Sequence, residues 1–188
     1  RLTLDGQVPD DNPFVGQAGA RPEIWSYGHR NAQGLATDPR TGKLWESEHG
    51  PRGGAELNLP LPGRNYGWPA ITHGINYSGQ PIPEAVGKEK DGMEPPHFLF
   101  EVSPGLSGMA FYTGRPGKPW NDSLFLGALA QRNLIRLQLD GDRVVGEERL
   151  LEDLGERVRD VRVAADGNVY LVTDEDNGKL LKLEPPQG

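Results

Sequence analysis

The sequence GLATDPRTGKLW at residues 34–45 is matched later in the chain by VRVAADGNVY at residues 161–170. Each stretch consists of a strand-like segment, a turn with Asp or Gly, and a second strand-like segment that contains an aromatic residue. SGMAFY at residues 107–112 and SLFL at residues 123–126 form a third copy with a longer turn. Repetition of short antiparallel units is typical of a β-propeller, whose blades are small sheets around a central channel. An ordinary β-sandwich with similar hairpins is the alternative.

The C-terminal part of the chain shows the strand pattern most clearly. The alternating sequence LIRLQL places Ile135, Leu137 and Leu139 on one face of a strand. Turn signals of the hairpin type follow at residues 140–142 and 166–167. The strand-like segments lack a sustained period of 3.6 residues. The predicted fold class is therefore all-β, as a β-propeller.

Composition and charge limit the classes of function. The 26 glycines and 17 prolines among 188 residues are typical of one domain of short strands joined by turns and loops. A net charge of -7 without a basic tract argues against nucleic acid or an anionic membrane surface as a partner. The absence of cysteine excludes disulfides, thiolate metal sites and cysteine nucleophiles. No apolar run approaches the roughly 20 residues that span a bilayer. The chain shows no signal peptide, and its start on Arg1 rather than Met predicts processing or a fragment.

Residues 52–100 interrupt this rhythm of strands and turns. The stretch is rich in Gly and Pro and carries Tyr66, Trp68, Tyr77 and two histidines. Long irregular insertions in compact domains often carry function. We predict a long loop insertion at about 52–100 on one face of the propeller.

A concentration of polar groups lies in GHRNAQG at residues 28–34 and SEHGP at residues 47–51. The guanidinium of Arg30 offers a planar fork of donors that suits carboxylates, and the amides of Asn31 and Gln33 add donors and acceptors. Glycines allow close approach of the backbone to a ligand. The mixture is typical of a site for a flat, anionic, oxygen-rich ligand, and a polar loop between two strands is the alternative.

These residues resemble the soluble quinone-dependent sugar dehydrogenases, and more closely the bacterial aldose sugar dehydrogenases of the glucose/sorbosone dehydrogenase family. The resemblance covers nearly the whole chain. Each motif alone is weak, but their order and spacing together are specific. The motifs are GHRN at 28–31 with Gln33-Gly34, EHGP at 48–51, ELN at 56–58, NYGWP at 65–69, GAL at 127–129 and RVRDV at 157–161.

The resemblance implies a six-bladed β-propeller, of which residues 1–188 are the C-terminal part with about three blades. It also implies pyrroloquinoline quinone (PQQ) and calcium as cofactors, an aldose sugar as substrate oxidised at C1 to a lactone, and an external electron acceptor. The residues that it assigns to PQQ are Arg30, Asn31, Gln33, His49, Tyr77, Ala128, Leu129, Ala130, Arg157 and Arg159. Tyr77 is also implied to contact the sugar, with a loop anchor as the alternative. Arg157 and Arg159 are two apart, so in a strand they point to the same face.

Calcium enters at two places that the resemblance implies. The backbone carbonyls of Gly50 and Pro51 match the ligands of an ion that bridges to PQQ. Glu56 and Tyr66 match the ligands of a second, structural ion, with Tyr66 acting through its carbonyl. Oxygen ligands of this kind are the ones that hard cations prefer.

Two departures from the family pattern affect these expectations. The family often has Lys at the position of Ala130, so a cationic contact to the quinone is lost here. The general base of the family is a His in the N-terminal half, and none of His29, His49, His73 and His97 matches it. The cut faces of a half-propeller would expose apolar surface, so we predict a longer polypeptide or association with the N-terminal half.

Two other functional classes stay open from the sequence. One is a non-catalytic propeller module that binds a sugar or a protein. The other is a calcium-dependent lactonase on a similar propeller, which needs carboxylates and Asn around one ion but no cradle for a tricarboxylate. By resemblance alone, a periplasmic or extracellular location is expected.

Overall fold

The computed structural model describes residues 1–113 and 119–184, and within them it contains eleven strands, a short 3-10 helix at Glu152–Leu154 and no α-helix. None of the helical structure in this part of the chain is long and apolar enough to cross a membrane. The prediction of an all-β fold is confirmed. The strands are β1 (Ala32–Thr37), β2 (Leu44–Glu48), β3 (Ala55–Asn58), β4 (Phe98–Phe100), β5 (Leu106–Phe111), β6 (Ser123–Ala128), β7 (Asn133–Asp140), β8 (Arg143–Leu150), β9 (Val158–Val163), β10 (Val169–Thr173) and β11 (Leu180–Leu183).

The strands form three antiparallel sheets, in the orders β1-β2-β3-β4, β5-β6-β7-β8 and β9-β10-β11. We call these sheets the first, second and third blades. The first strands of successive blades are neighbours, because β5 contacts both β1 and β9. Side-by-side sheets whose first strands meet are the arrangement of propeller blades around a central axis. The chain is therefore a partial β-propeller, and the sandwich alternative is wrong.

Two hydrophobic cores lie on either side of the second blade. Strand β6 is buried along its whole length, and its side chains alternate between the cores. Leu124 and Leu126 pack in the first core with Trp45 of the first blade. Phe125 packs in the second core with Val161 of the third blade. Strand β6 is thus covered on both faces, as its continuous apolar sequence requires.

The alternation predicted for strand β7 is also confirmed. Ile135, Leu137 and Leu139 share the first core, whereas Leu134 belongs to the second. The predicted third repeat corresponds to strands β5 and β6. Residues 114–118 of its longer turn lie outside the described residues.

The two end blades expose apolar side chains on strands that are otherwise regular. Leu35 of β1 is 64% exposed, and Leu180 of β11 is 71% exposed. In the second blade Val145 of the outer strand β8 is 49% exposed, whereas the large apolar residues of β5, β6 and β7 are buried. The exposed side chains are what the sequence analysis expects of a half-propeller, and association with further blades stays a prediction.

The segment 52–100 is less irregular than its composition predicts, because strands β3 and β4 lie at its two ends. Ala55 and Leu57 of β3 and Phe100 of β4 belong to the first core. Strands of four and three residues are too short to show a period among so many Gly and Pro residues. The irregular part therefore spans residues 59–97.

Part of this irregular segment packs against the residues that precede β1. The N–H of Tyr66 donates to the carbonyl of Tyr27, and the N–H of Trp68 donates to the carbonyl of Gly28, both at 2.8 Å. Gly28 is required at this approach, because its φ is +77° and a Cβ there would lie 2.1 Å from Oδ1 of Asn65. These contacts bring the aromatic residues of the loop beside the first polar motif.

Candidate functional site

The site lies where β1 begins and β2 ends. The two strands are antiparallel and pair Ala32 with Glu48, so the residues just before β1 and just after β2 meet at one edge of the blade. The N–H of His49 donates to the carbonyl of Asn31 at 3.0 Å. This pairing places residues 28–31 beside residues 48–51, which are far apart in the sequence.

The guanidinium of Arg30 is held between an aromatic ring and two backbone carbonyls. It lies over the ring of Trp68, 5.2 Å from the ring centroid. Its Nη1 donates to the carbonyls of His49 at 3.0 Å and Gly50 at 3.3 Å. Its Nε is buried and has no hydrogen-bond partner in the part of the chain that the structure describes. A buried donor without a partner is costly, so Arg30 presents a donor that a ligand acceptor would satisfy.

Six of the predicted site residues line one cavity at this edge of the first blade. Trp68, Glu48 and Gly54 complete much of its wall. The predicted residues in the cavity are Arg30, His49, Gly50, Pro51, Glu56 and Tyr66.

Backbone carbonyls are crowded at the turn that forms part of this wall. A Cβ at position 50 would lie 2.1 Å from the carbonyl oxygen of Gly53 and 2.2 Å from that of Gly54. Only glycine fits at position 50 for this reason. Gly50 and Pro51 are both buried. The turn therefore brings several backbone carbonyl oxygens together, and carbonyl oxygens are among the ligands that calcium takes.

A buried group of polar residues that the sequence analysis did not assign lies against this cavity. It consists of Glu46 and Glu48 on β2, Asn58 on β3 and His29. Glu46 pairs with Asn58 and Glu48 pairs with Glu56 across the two strands. Residues two apart on a strand point to the same face, so the pattern ESE at positions 46–48 was the signal available in the sequence. We call the set of Glu46, Glu48, Asn58 and His29 the acidic group.

The carboxylate of Glu48 accepts hydrogen bonds on both oxygens. Its Oε2 accepts from the N–H groups of Arg30 at 2.5 Å and Asn31 at 3.1 Å. Its Oε1 accepts from Nδ2 of Asn58 at 2.9 Å. Glu48 therefore fixes the backbone from which the side chain of Arg30 extends.

Burial and a neighbouring charge favour the neutral form of two carboxyls here, Glu46 of the acidic group and Glu56 beside it. Burial and then the charge of Glu48 raise the pKa of Glu46 to about 9. Burial and then the same charge raise the pKa of Glu56 to about 7. Oxygen-rich surroundings of this kind attract cations.

The imidazole of His29 is fixed on two sides. Its ring stacks on Tyr66, with centroids 4.6 Å apart and an interplanar angle of 19°. Its Nε2 lies 2.8 Å from Oγ of Ser26. Its Nδ1 lies 3.5 Å from Oε1 of Glu48 and 3.8 Å from Oε2 of Glu46. The hydroxyl of Tyr66 is itself used, since it donates to Leu59 and accepts from the N–H of Leu61.

Arg157 and Arg159 lie at the start of β9 and converge on one carboxylate. Nε of Arg157 donates to Oδ2 of Asp174 at 3.0 Å, and Nη2 of Arg159 donates to the same oxygen at 2.8 Å. These hydrogen bonds lower the pKa of Asp174, with Arg159 contributing most. Both arginines are partly exposed. Their shared partner shows that the two side chains point to the same face.

His49 connects the two arginine sites. Its Nε2 is hydrogen-bonded to the carbonyl of Leu106 on the second blade. Burial lowers the pKa of His49, and the positive charges of Arg30 and Arg159 lower it further. The three side chains are therefore close enough to interact, although they belong to different blades.

The remaining predicted residues lie around this centre. Nε2 of Gln33 donates to Oδ1 of Asn31 at 2.9 Å, and both side chains are exposed. Gln33 and Arg159 line a second cavity together with Gly108 of β5. Tyr77 is 73% exposed and is absent from the lining of the Arg30 cavity.

Residues 128–130 extend from the last residue of β6 into the turn after it and lie outside the lining of the Arg30 cavity. Ala128 and Leu129 are buried, whereas Ala130 is exposed. The N–H of Leu129 donates to Gly105 and that of Ala130 to Pro104. Because these two donors are used, a ligand contact from Leu129 or Ala130 would involve a carbonyl or a side chain.

Comparison with known proteins identifies the family of this partial propeller. The sequence profile of glucose/sorbosone dehydrogenases matches residues 1–182, and the chain belongs to this family. It is 52% identical over 185 residues to the aldose sugar dehydrogenase YliI of Escherichia coli K12. The match covers 98% of this chain and 50% of that protein. The chain spans about half the length of the curated relatives that it matches.

Solved structures give the same result. A crystal structure of glucose dehydrogenase is 66% identical, with a TM-score of 0.97 over 99% of this chain and 54% of that one. The PQQ-bound form of aldose sugar dehydrogenase from Streptomyces coelicolor is 31% identical, with a TM-score of 0.72 over 97% of this chain and 50% of that one.

Proposed function

We propose that this chain, together with the other blades of a propeller, oxidises aldose sugars at C1 to lactones with PQQ and calcium as cofactors. The observation that carries the proposal is the single cavity that joins Arg30, His49, Gly50, Pro51, Glu56 and Tyr66. Sequence motifs that lie up to 37 residues apart converge there. Family membership and the PQQ-bound relative support the choice of cofactor.

The residues present fit a planar tricarboxylate. PQQ carries three carboxylates, and guanidinium groups bind carboxylates in two parallel hydrogen bonds. Arg30 offers its unpartnered Nε, and Arg157 and Arg159 offer donors that Asp174 now engages. In this proposal Asn31, Gln33, His49 and Tyr77 complete the polar contacts of the cofactor. Ala128, Leu129 and Ala130 border it from the second blade.

The donor set also fits calcium. Gly50 and Pro51 would bind one ion through their backbone carbonyls, beside the cofactor. Glu56 would bind a second ion through its buried carboxylate. Tyr66 would join it through its carbonyl, because its hydroxyl is already hydrogen-bonded to the loop. Oxygen ligands from carbonyls and carboxylates are those that calcium takes.

When bound, PQQ would supply the two-electron redox chemistry that amino-acid side chains lack. The residues of this chain bind and orient it. The three arginines present fixed positive charge toward its oxygens, which favours negative charge that develops there during reduction. Tyr77, exposed at 73%, would contact the sugar as well as the cofactor.

Other parts of the function lie beyond this chain in our proposal. The general base that removes the proton of the anomeric hydroxyl would come from the N-terminal half of the propeller. Residues 1–188 would form the C-terminal part of one propeller domain. An external acceptor would take the electrons, and the protein would work in the periplasm or outside the cell. Ala130 would leave the quinone without the ammonium group that the family often has there.

A titration with PQQ tests the cofactor cradle. The purified chain is titrated with and without calcium, and the absorbance of PQQ is followed. The same titration is made with the double variant Arg157→Ala/Arg159→Ala, and with Arg143→Ala as a matched control on an exposed arginine of β8. We expect saturable, calcium-dependent binding that the double variant loses and the control keeps.

Three results would contradict the proposal. Binding that is equal in the double variant would show that these arginines do not hold the cofactor. Absence of binding, both here and after the preceding blades are added, would favour a non-catalytic module. Lactone hydrolysis with calcium alone would instead favour the lactonase.

A further inference from the structure

The acidic group has the geometry of a metal site that is separate from the two calcium positions proposed above. We propose that His29, Glu46, Glu48 and Asn58 bind one divalent metal ion of the zinc class. This inference does not depend on the proposed sugar dehydrogenase function. Nδ1 of His29 and one carboxylate oxygen each of Glu46 and Glu48 lie within 4.8 Å of one another. Glu56 lies outside that set.

The distances among the donors match those of a tetrahedral site. Nδ1 of His29 lies 3.5 Å from Oε1 of Glu48 and 3.8 Å from Oε2 of Glu46. The carboxamide of Asn58 lies 2.9 Å and 3.2 Å from the same two oxygens. Four donors at about 2.1 Å from a central ion in a tetrahedron are about 3.4 Å apart. The four measured distances lie on both sides of this value.

Buried polar atoms of the acidic group are left without partners. Oδ1 of Asn58, Nδ1 of His29 and Oε1 of Glu46 are inaccessible to solvent and have no hydrogen-bond partner among residues 1–113 and 119–184. Asn58 is only 1% exposed. A half-turn of its carboxamide exchanges Nδ2 and Oδ1, and this brings the unpartnered oxygen between the two carboxylates. A central cation would hold it there.

The two carboxyls of the acidic group are buried and are not paired with a lysine or arginine side chain of the described residues. Glu46 and Glu48 are each 3% exposed. Among the described residues, the ion pairs of these two carboxylates are with His29, and neither pairs with Lys or Arg. Two buried carboxylates that share a face are stabilised by a cation between them.

The surroundings fix the donors as the outer contacts of a metal site do. His29 is held by Ser26 through Nε2 and by stacking on Tyr66. Glu48 is held by the N–H groups of Arg30 and Asn31. Metal-binding histidines and carboxylates are oriented by second hydrogen bonds of this kind.

The donor set selects the class of ion. Calcium takes six to eight oxygen ligands and avoids imidazole nitrogen. Zinc takes imidazole and carboxylate ligands in a tetrahedron. One nitrogen, two carboxylates and one amide oxygen therefore favour a zinc-class ion over calcium.

Calorimetric titration with zinc alone tests the site. The chain is freed of metal with a chelator, which is then removed, and zinc is added in excess calcium to occupy the proposed calcium positions. The test variant is Glu46→Gln, which keeps the shape of the side chain and removes its charge. The matched control is Glu152→Gln, an exposed glutamate of the 3-10 helix that lies outside the donor set and outside the proposed calcium positions. Thermal unfolding shows that both variants are folded.

We expect one zinc ion per chain, binding weakened by more than about 100-fold in Glu46→Gln, and little change in Glu152→Gln. Cobalt(II) in place of zinc should show the visible absorption of a tetrahedral complex. The proposal is wrong if the unmodified chain binds no zinc in excess calcium, if Glu46→Gln binds zinc as tightly as the unmodified chain, or if Glu152→Gln loses as much affinity as Glu46→Gln.

Discussion

Two pairs of like charges in this chain have the same spacing and opposite surroundings. Glu46 and Glu48 are two apart on β2, and Arg157 and Arg159 are two apart at the start of β9. The glutamates are buried in the acidic group, with Nδ1 of His29 within 3.8 Å of a carboxyl oxygen of each. The arginines are partly exposed and share Asp174. Spacing alone decides that each pair shares a face, whereas packing decides the free-energy cost of placing two like-charged groups on that face.

The largest difference should appear when a hydrogen-bonding carboxylate is removed from the acidic group. Glu48→Ala leaves the N–H groups of Arg30 and Asn31 without their acceptor, and leaves Nδ2 of Asn58 with Glu46 as its remaining acceptor. Unsatisfied buried donors cost roughly 1–3 kcal/mol each, so we expect the free energy of unfolding to fall by about 3 kcal/mol. Urea unfolding followed by tryptophan fluorescence measures it. A loss no larger than that of Arg157→Ala would remove the contrast between the two pairs.

The second difference concerns how the free energy of unfolding depends on pH. The pKa of Glu46 is raised to about 9 in the folded chain, from 4.5. The folded chain therefore holds a proton that the unfolded chain releases, and the stabilisation is present below pH 4.5 and lost as the pH rises toward 9. In metal-free buffer, a group whose pKa is raised in this way lowers the free energy of unfolding by up to about 1.4 kcal/mol for each unit of pH increase between its unfolded and folded pKa values.

Glu46→Gln should flatten this dependence, because its amide has no proton to lose. Glu152→Gln, on the 3-10 helix, is the control and should leave the slope unchanged. The measurement is urea unfolding at several pH values between 5 and 9. An equal slope in the unmodified chain and in Glu46→Gln would show that Glu46 is ionised in the folded state.

A smaller effect is expected at the arginine pair. Asp174→Asn removes the shared partner of Arg157 and Arg159, but these groups are exposed to water and to salt. Ion pairs of this kind contribute roughly 0–1 kcal/mol, so we expect a loss of less than about 1 kcal/mol, and less still in high salt. Urea unfolding at low and high ionic strength measures both. A loss of the size expected for Glu48→Ala would show that the pair is structural.

The smallest expected effect is a change in the pKa of His49, which connects the Arg30 cavity with the arginine pair. The charge of Arg159 contributes to the lowered pKa of His49, after burial and beside the charge of Arg30. Arg159→Ala should therefore raise the pKa of His49 slightly, whereas Arg162→Ala on the same strand should leave it unchanged. Titration of the histidine resonances by NMR measures both. An unchanged pKa in Arg159→Ala would separate the arginine pair from the first cavity.

The repeated strand-turn-strand pattern predicted the fold, because alternation of apolar residues is a local property of each strand. The predicted loop insertion at about 52–100 includes β3 and β4, because these strands are too short to show that alternation. Six residues of the Arg30 cavity were predicted from the motifs that carry the family resemblance. The acidic group was missed because burial of Glu46 depends on contacts between strands and with the loop at residues 59–97. A sequence shows that charged side chains share a face, but not that the face is covered.

The central claim is that the cavity beside Arg30 and the pair of Arg157 and Arg159 together hold PQQ and calcium. A crystal structure of this chain joined to the preceding blades, with both cofactors bound, tests it most directly. The account predicts PQQ carboxylates within hydrogen-bond distance of the three arginines, with calcium on the carbonyls of Gly50 and Pro51. A cofactor bound elsewhere, or bound without contact to these arginines, would contradict it.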